Sequence, residues 1–247
     1  MFKTGVFREL CAISAGIEGF LTDREGWLLY QLARRASGGC IVEIGSWQGK
    51  STVWIGLGAK ASASHGEPSR VYAIDPHTGS EEHQKPGEKI WTLERFKANI
   101  SRNGLDRIVT PIVERAHNAR RAFEQPVSLL FIDGAHDYDS VKQDYELWAP
   151  LVVEGGYIVF HDTQQAGVKK FVDEIIPTGP FAKVYFQDTI CYGKKVVRHS
   201  SVDAFRGRAM IRLKNEFLDV CDGAVSKEHK KWVKQRVKFV RALLTIL

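Results

Sequence analysis

Residues 40–61 read CIVEIGSWQGKSTVWIGLGAKA. A short apolar run carries the acid Glu43, a turn with Gly45 and Gly49 follows, and Lys50–Ser51 opens a helical pattern. The run is too short and too β-branched for a helix, so the stretch predicts strand, tight turn and helix. The two glycines permit a sharp turn and close backbone approach beside a helix amino end. The same alternation continues outward. VYAID precedes TLERFKANISRNG, IVTPIV precedes HNARRAFE, SLLFID precedes SVKQDYELWAPLV, and GYIVFHD precedes AGVKKFVDEII. Such a series of β–α units predicts a parallel sheet covered by helices on both faces. The last runs, AKVYFQD and TICYGKK, are joined by a short polar link and predict an antiparallel hairpin at the sheet edge.

The fold class expected is therefore α/β. It is a doubly wound, Rossmann-like, seven-stranded and mostly parallel sheet, with an antiparallel last hairpin and a helical carboxyl-terminal tail. Three regions are expected: a helical cap over 1–37, a ligand-binding domain over 38–199 and a basic helical extension over 200–247. In the cap, TDREGWLLYQLARRA reads as a helix capped by Thr22 or Asp23, with Asp23 and Glu25 near its positive end. The chain has 247 residues, 44% of them hydrophobic, which is enough for a substantial core. Its net charge of +6 belongs to the tail, because residues 1–205 hold nearly equal numbers of acids and bases. The scattered Cys11, Cys40, Cys191 and Cys221 have no metal-type spacing and are expected as free thiols. The opening MFKTGVFRELCAISAG lacks a long apolar block, and no stretch has the ~20 apolar residues of a membrane span. A cytoplasmic protein is expected.

In such a sheet, ligands bind outside the carboxyl ends of the strands, near the point where strand order reverses. The polar residues at those ends, Glu43, Asp75, Asp133, His161 and Asp162, should share one crevice. Glu43 beside the glycine turn suits a ligand bearing an ammonium group. The GxxxG spacing of Gly45 and Gly49, with Trp47 between, is not the GxGxxG of a pyrophosphate loop. Asp75 is placed to accept from ribose hydroxyls, or else to cap a helix after Pro76. If the fourth and fifth strands are neighbours, Asp133 and the His161–Asp162 pair lie ~5 Å apart. Two carboxylates and a third ligand suit a divalent cation, Mg²⁺ first, with Mn²⁺, Fe²⁺ or Zn²⁺ favoured by the imidazole. His136, three residues past Asp133, is the candidate base for an acceptor proton, with His77 in reserve. The plainer alternative makes Asp133 a helix cap and His161–Asp162 a hydrogen-bonded cover over the strand ends. Asp137, Tyr138, Asp139 and Asp144 read as helix-start and surface residues.

The segments IVEIGSWQGKST, YAIDPHTG, FIDGAHDY and GGYIVFHDT, with the helix EGWLLYQLAR, resemble the class I S-adenosylmethionine-dependent methyltransferases. The likeness spans roughly residues 15–195. It is strongest to the metal-dependent small-molecule O-methyltransferases, in the branch with macrolide and aminocoumarin sugar O-methyltransferases and cephalosporin-hydroxylase-like proteins. The resemblance implies S-adenosylmethionine as cofactor, with Glu43, Gly45, Trp47, Gly49 and Ser51 at its methionine end and Asp75 on the ribose. It places Ala116 and His117 at the adenine, and Asp133 against both cofactor and metal. It implies Asp133, His161 and Asp162 as metal ligands and His136 as base. The first of the paired ligands, usually acidic in those enzymes, is His161 here.

The implied partner is a small-molecule hydroxyl, on a sugar, a natural product or a surface glycan, and no nucleic acid is expected. The polar stretch between Asp75 and Trp91 reads as a flap over the substrate, with Tyr138 and Gln164–Gln165 as further contacts. In the tail, Val233, Val237, Val240, Leu244 and Leu247 form a two-heptad seam able to dock on the body or on a second copy. The rival functions are a nicotinamide-dependent oxidoreductase, a non-catalytic binding protein on the same fold, and a metal-independent methyltransferase.

Overall fold

The computed structural model describes residues 4–62, 67–79, 89–221 and 235. Most of the expected flap and the whole seam at 233–247 lie outside the described residues. Two helices come first, α1 (Thr4–Ala15) and α2 (Asp23–Arg35). Thr22 begins α2 with a reciprocal cap. Its hydroxyl accepts from the Glu25 N–H, and its own N–H donates to the Glu25 carboxylate. The alternation then runs β1 (Cys40–Ile44), α3 (Lys50–Ser62), β2 (Val71–Ile74), α4 (Leu93–Arg102), β3 (Val109–Ile112) and a single turn, α5 (Ala116–Ala119). It continues with β4 (Val127–Ile132), α6 (Tyr138–Trp148), β5 (Val152–Phe160) and α7 (Ala166–Thr178). The chain then forms β6 (Phe181–Gln187), β7 (Ile190–Lys195) and α8 (Ser201–Cys221).

The strands form one seven-stranded sheet in the order β3-β2-β1-β4-β5-β7-β6. The first five strands are parallel, and β7 runs antiparallel to both β5 and β6. Every residue of β1 and β4 is buried, as the continuous apolar runs require of central strands covered on both faces. Alternate residues divide between two cores. Val42, Ile44, Leu130, Ile132, Ile158 and Phe160 pack with residues of α6, α7 and α8. Ile41, Leu129, Phe131 and Val159 pack with those of α2, α3 and α4.

Strand order reverses between β1 and β4, so the loops leaving these two strands flank the crevice. Their approach is close. A Cβ on Gly45 would lie 1.9 Å from the Asp133 carbonyl oxygen, and Gly45 has φ +87°. Glycine is therefore required there on both steric and conformational grounds. The ladder also continues past the strand ends. The Asp133 N–H donates to the Ile44 carbonyl (2.9 Å), and the His161 N–H donates to the Ile132 carbonyl (3.1 Å). This holds Asp133 and His161 level at one edge.

Cys11, Cys40 and Cys191 are free thiols, the last two of them buried. Among the described residues, no helix is long and apolar enough to cross a membrane.

Candidate active site

A cavity of about 620 Å³ opens at the carboxyl edge of the sheet. Its lining includes Gly45, Trp47 and Ser51 from the β1–α3 connection, Asp75 after β2, and Ala116 and His117 at α5. Asp133, His136, His161 and Asp162 line it from the loops after β4 and β5. Glu43 and Gly49 stand behind that lining. Glu43 is fully buried under the first turn of α3, where the Thr52 hydroxyl donates to its Oε2 at 2.5 Å. Its Oε1 has no hydrogen-bond partner among the described residues. Burial pushes its carboxyl up to about 8, against the hydrogen bonds of Ser51 and Thr52.

Asp75 accepts from two backbone N–H groups, those of Trp47 (2.8 Å) and His77 (2.6 Å). It thereby pins the glycine turn of β1 to the end of β2. Trp47, His77 and Asp162, all at this edge, hold left-handed φ values of 47°, 57° and 52°. Such conformations are costly for non-glycine residues and persist only where the surroundings enforce them. His77 turns away from the crevice. It is fully buried, with Nδ1 2.8 Å from the Thr92 hydroxyl and its ring against Phe96, so it cannot act as the reserve base.

His136 and His161 sit differently among carboxylates. His136 Nε2 lies 3.1 Å from Asp162 Oδ2 at the cavity wall. His161 lies deeper, 4% exposed. Its Nδ1 is 2.9 Å from Asp133 Oδ1 and 3.3 Å from Asp162 Oδ2, while its Nε2 is 3.6 Å from Glu25 Oε2. Burial alone would discharge this ring, but Asp133, Asp162 and Glu25 outweigh it and hold the imidazole protonated, well above its ordinary pKa. Burial likewise raises Asp133, and His161 offsets only part of that rise. Asp162 overcomes its burial through His136 and His161 and stays well below the usual carboxylate range. Asp133, His136 and Asp162 each present a ligand atom within 4.8 Å of the others, a spacing that can hold a metal ion.

Two site residues escape the sequence reading. Glu25 is 1% exposed and receives the Thr189 N–H (2.8 Å) and hydroxyl (2.6 Å) from the β6–β7 turn. Against its burial, His161 and Thr189 bring its carboxyl down to about 2. An acid in a first helical turn is ordinary, so nothing in the sequence marks it. Asp144, expected at the surface, is 9% exposed and lines the cavity. Its signal was present: Val141, Asp144, Tyr145 and Trp148 share the buried stripe of α6. Asp137 is the helix cap expected of it, accepting from the Ser140 N–H.

Residues 42–163 match the family model of a methyltransferase domain. An uncharacterised protein of Acanthamoeba polyphaga mimivirus is 29% identical over 162 residues, covering 61% of this chain and 66% of that one. The chain spans less than two thirds of the length of the curated relatives it matches. The fold is similar to that of the O-methyltransferase NovP, with TM-score 0.58 and 17% identity over 70% of this chain and 80% of that one. It is also similar to TomG from Streptomyces achromogenes, an O-methyltransferase of tomaymycin synthesis solved with S-adenosylmethionine. There the TM-score is 0.55 and the identity 15%, over 77% of this chain and 89% of that one. The match over residues 42–163, with the sheet order and the glycine turn, makes this part of the chain similar to a methyltransferase domain.

Proposed function

We propose that the chain transfers the methyl group of S-adenosylmethionine to a hydroxyl of a small molecule, with His136 as the base. The observation that carries this reading is the convergence of His136, Asp162 and Asp133 on one cavity beside the glycine turn. The similar structures support it, since NovP and TomG are O-methyltransferases. A sugar or natural-product acceptor is the finer form of the proposal.

In the transfer, the acceptor oxygen attacks the methyl carbon, the carbon–sulfur bond breaks, and S-adenosylhomocysteine leaves. The hydroxyl proton goes to the His136 imidazole, and the Asp162 carboxylate 3.1 Å from Nε2 stabilises the imidazolium that forms. His161 keeps Asp133 and Asp162 together, and Glu25 keeps His161 in place.

The residues present fit a divalent cation. The carboxylates Asp133 and Asp162 lie with a His136 nitrogen within 4.8 Å of one another; the two oxygens suit Mg²⁺ or Mn²⁺, and the imidazole stays with its role as base. Asp133 and Asp162 would hold it. When bound, it supplies Lewis-acid binding of the acceptor hydroxyl and lowers its pKa. His161, with carboxylates facing both ring nitrogens, is given a supporting role in place of the ligand role implied by the family resemblance. A metal-independent reaction is the second reading. It is favoured because His161 Nδ1 already sets a positive charge between Asp133 and Asp162.

One experiment addresses both readings. S-adenosylhomocysteine binding is measured by calorimetry, and its release from S-adenosylmethionine is followed against a panel of hydroxylated small molecules, with Mg²⁺ or excess EDTA. Binding in the micromolar range and EDTA-sensitive release are expected. No binding at millimolar ligand would overturn the cofactor assignment, and full release in EDTA would establish the second reading.

A further inference from the structure

The wall of the cavity formed by α6 holds a buried acid for which the reaction has no use. Asp144 is 9% exposed and lines the cavity, yet its carboxyl has no hydrogen bond or ion pair among the described residues. Every other acid with a part in the site has a donor: His161 for Asp133, the two histidines for Asp162, backbone N–H groups for Asp75 and Thr52 for Glu43. An unpaired buried carboxyl costs free energy, and burial, with Asp137 nearby, raises Asp144 to about 7.

The surroundings define what could supply the missing donor. A Cβ built on Gly134 would lie 3.2 Å from Asp144 Oδ2 and 3.4 Å from Ile44 Cγ2, so only a glycine's width separates the acid from that apolar side chain. Ile44, Ile74 and Ala116 line the cavity and pack in or against a single apolar cluster, and α5 packs on α6 beside them. This side of the cavity is therefore apolar at Ile44, Ile74 and Ala116, with Asp144 near Gly134 and Ser140 and Gln143 of α6 also on its lining.

This fits a flat heteroaromatic ring bearing an exocyclic amino group. Of the parts of S-adenosylmethionine, the amino-acid and ribose ends are polar throughout. The adenine alone combines apolar faces with an N–H edge, and its 6-amino group carries the only N–H donors on the base. Resting on the cofactor reading above, we infer that Asp144 accepts a hydrogen bond from the adenine 6-amino group, making it a specificity-determining residue for the cofactor. The acid on α6 thus distinguishes an adenine from a base carrying an oxygen in the same place.

The test compares S-adenosylhomocysteine with S-inosylhomocysteine, its 6-oxo analogue, by calorimetry on the full chain. The analogue puts an acceptor against Asp144 in place of a donor. At pH 8, where the Asp144 carboxylate can only accept, wild type is expected to bind the adenosyl compound at least about tenfold more tightly, the worth of one good hydrogen bond. In Asp144→Asn the carboxamide can donate as well as accept, so the preference should collapse to within about twofold. The variant keeps the shape and removes a costly buried acid, and an undiminished thermal midpoint confirms that it folds. Equal wild-type affinities, or a tenfold preference retained in Asp144→Asn, would overturn the assignment; the wild-type comparison decides even if the variant does not fold. Failure of wild type to bind either compound would instead remove the cofactor reading, and this inference with it.

Discussion

Two acidic corners of one cavity behave in opposite ways. Around His161, the carboxylates of Glu25, Asp133 and Asp162 all face one buried imidazole. Glu25 and Asp162 are held below the ordinary range despite their burial. Elsewhere on the same crevice, Glu43 and Asp144 are equally buried but face no cation, and they rise to about 8 and about 7. Burial and pairing compete: Asp133 still rises beside His161, whereas Asp162, facing both histidines, falls. Glu25 and Asp162 keep their charges at neutral pH and hold the imidazolium between them. The unpaired acids are the ones a bound ligand's N–H groups would complete.

The contrast is most severely tested at Asp162, which serves both histidines. Asp162→Ala should lower S-adenosylhomocysteine release by about 10³-fold, within the range of lost acid–base assistance. Cofactor affinity should stay within about threefold. A loss of affinity equal to the loss of rate would mean that Asp162 belongs to cofactor binding instead. A smaller effect is expected at Glu25. Glu25→Ala leaves the buried imidazolium short of a partner, takes the acceptor from the Thr22 N–H in the cap of α2 and strands the Thr189 N–H and hydroxyl. A loss of about 3 kcal/mol in urea unfolding is expected. A loss below about 1 kcal/mol would show that opposite charge is not what holds the paired corner.

Much of the frame was legible because it depends on patterns short enough to read locally. β1 and β4 are buried, mostly apolar runs followed by glycines, and ionisable residues cluster directly after β4 and β5. Parallel strands bring those endings to one edge, so Asp133, His136, His161 and Asp162 could be grouped before their distances were known. What escaped depends on tertiary packing. Glu25 reads as a solvated helix-start acid until the β6–β7 turn brings Thr189 against it from 164 residues away. His77 reads as a loop residue over the crevice until Phe96 and Thr92 enclose it. Asp144 differs from both. Its helical spacing places it on the stripe of Val141, Tyr145 and Trp148, while its charge points to the surface, and packing against the cavity wall overrides the charge.

The unpaired corner has its own signature in pH. An acid whose folded pKa lies above its unfolded value binds more protons when folded, so stability falls as pH rises between the two values. For Asp144 that window runs from about 4, the unfolded value, to about 7. Below it the acid is neutral in both states and costs no charge burial. Above it the folded chain must hold a charge with no partner. Asp144→Asn removes the titration, so its stability relative to wild type should be lowest near pH 4, climb through pH 5 and 6, and level off above pH 7. Parallel urea unfolding of the two proteins across pH 4–8 measures the difference directly, and the contribution of every other acid cancels. Saturating S-adenosylhomocysteine should shrink the gap at pH 8, because a donor on Asp144 repays the charge in wild type. A difference flat across the range would mean that water reaches the carboxylate as freely as it reaches the surface, and the opposition between the two corners would then rest on Glu43 alone.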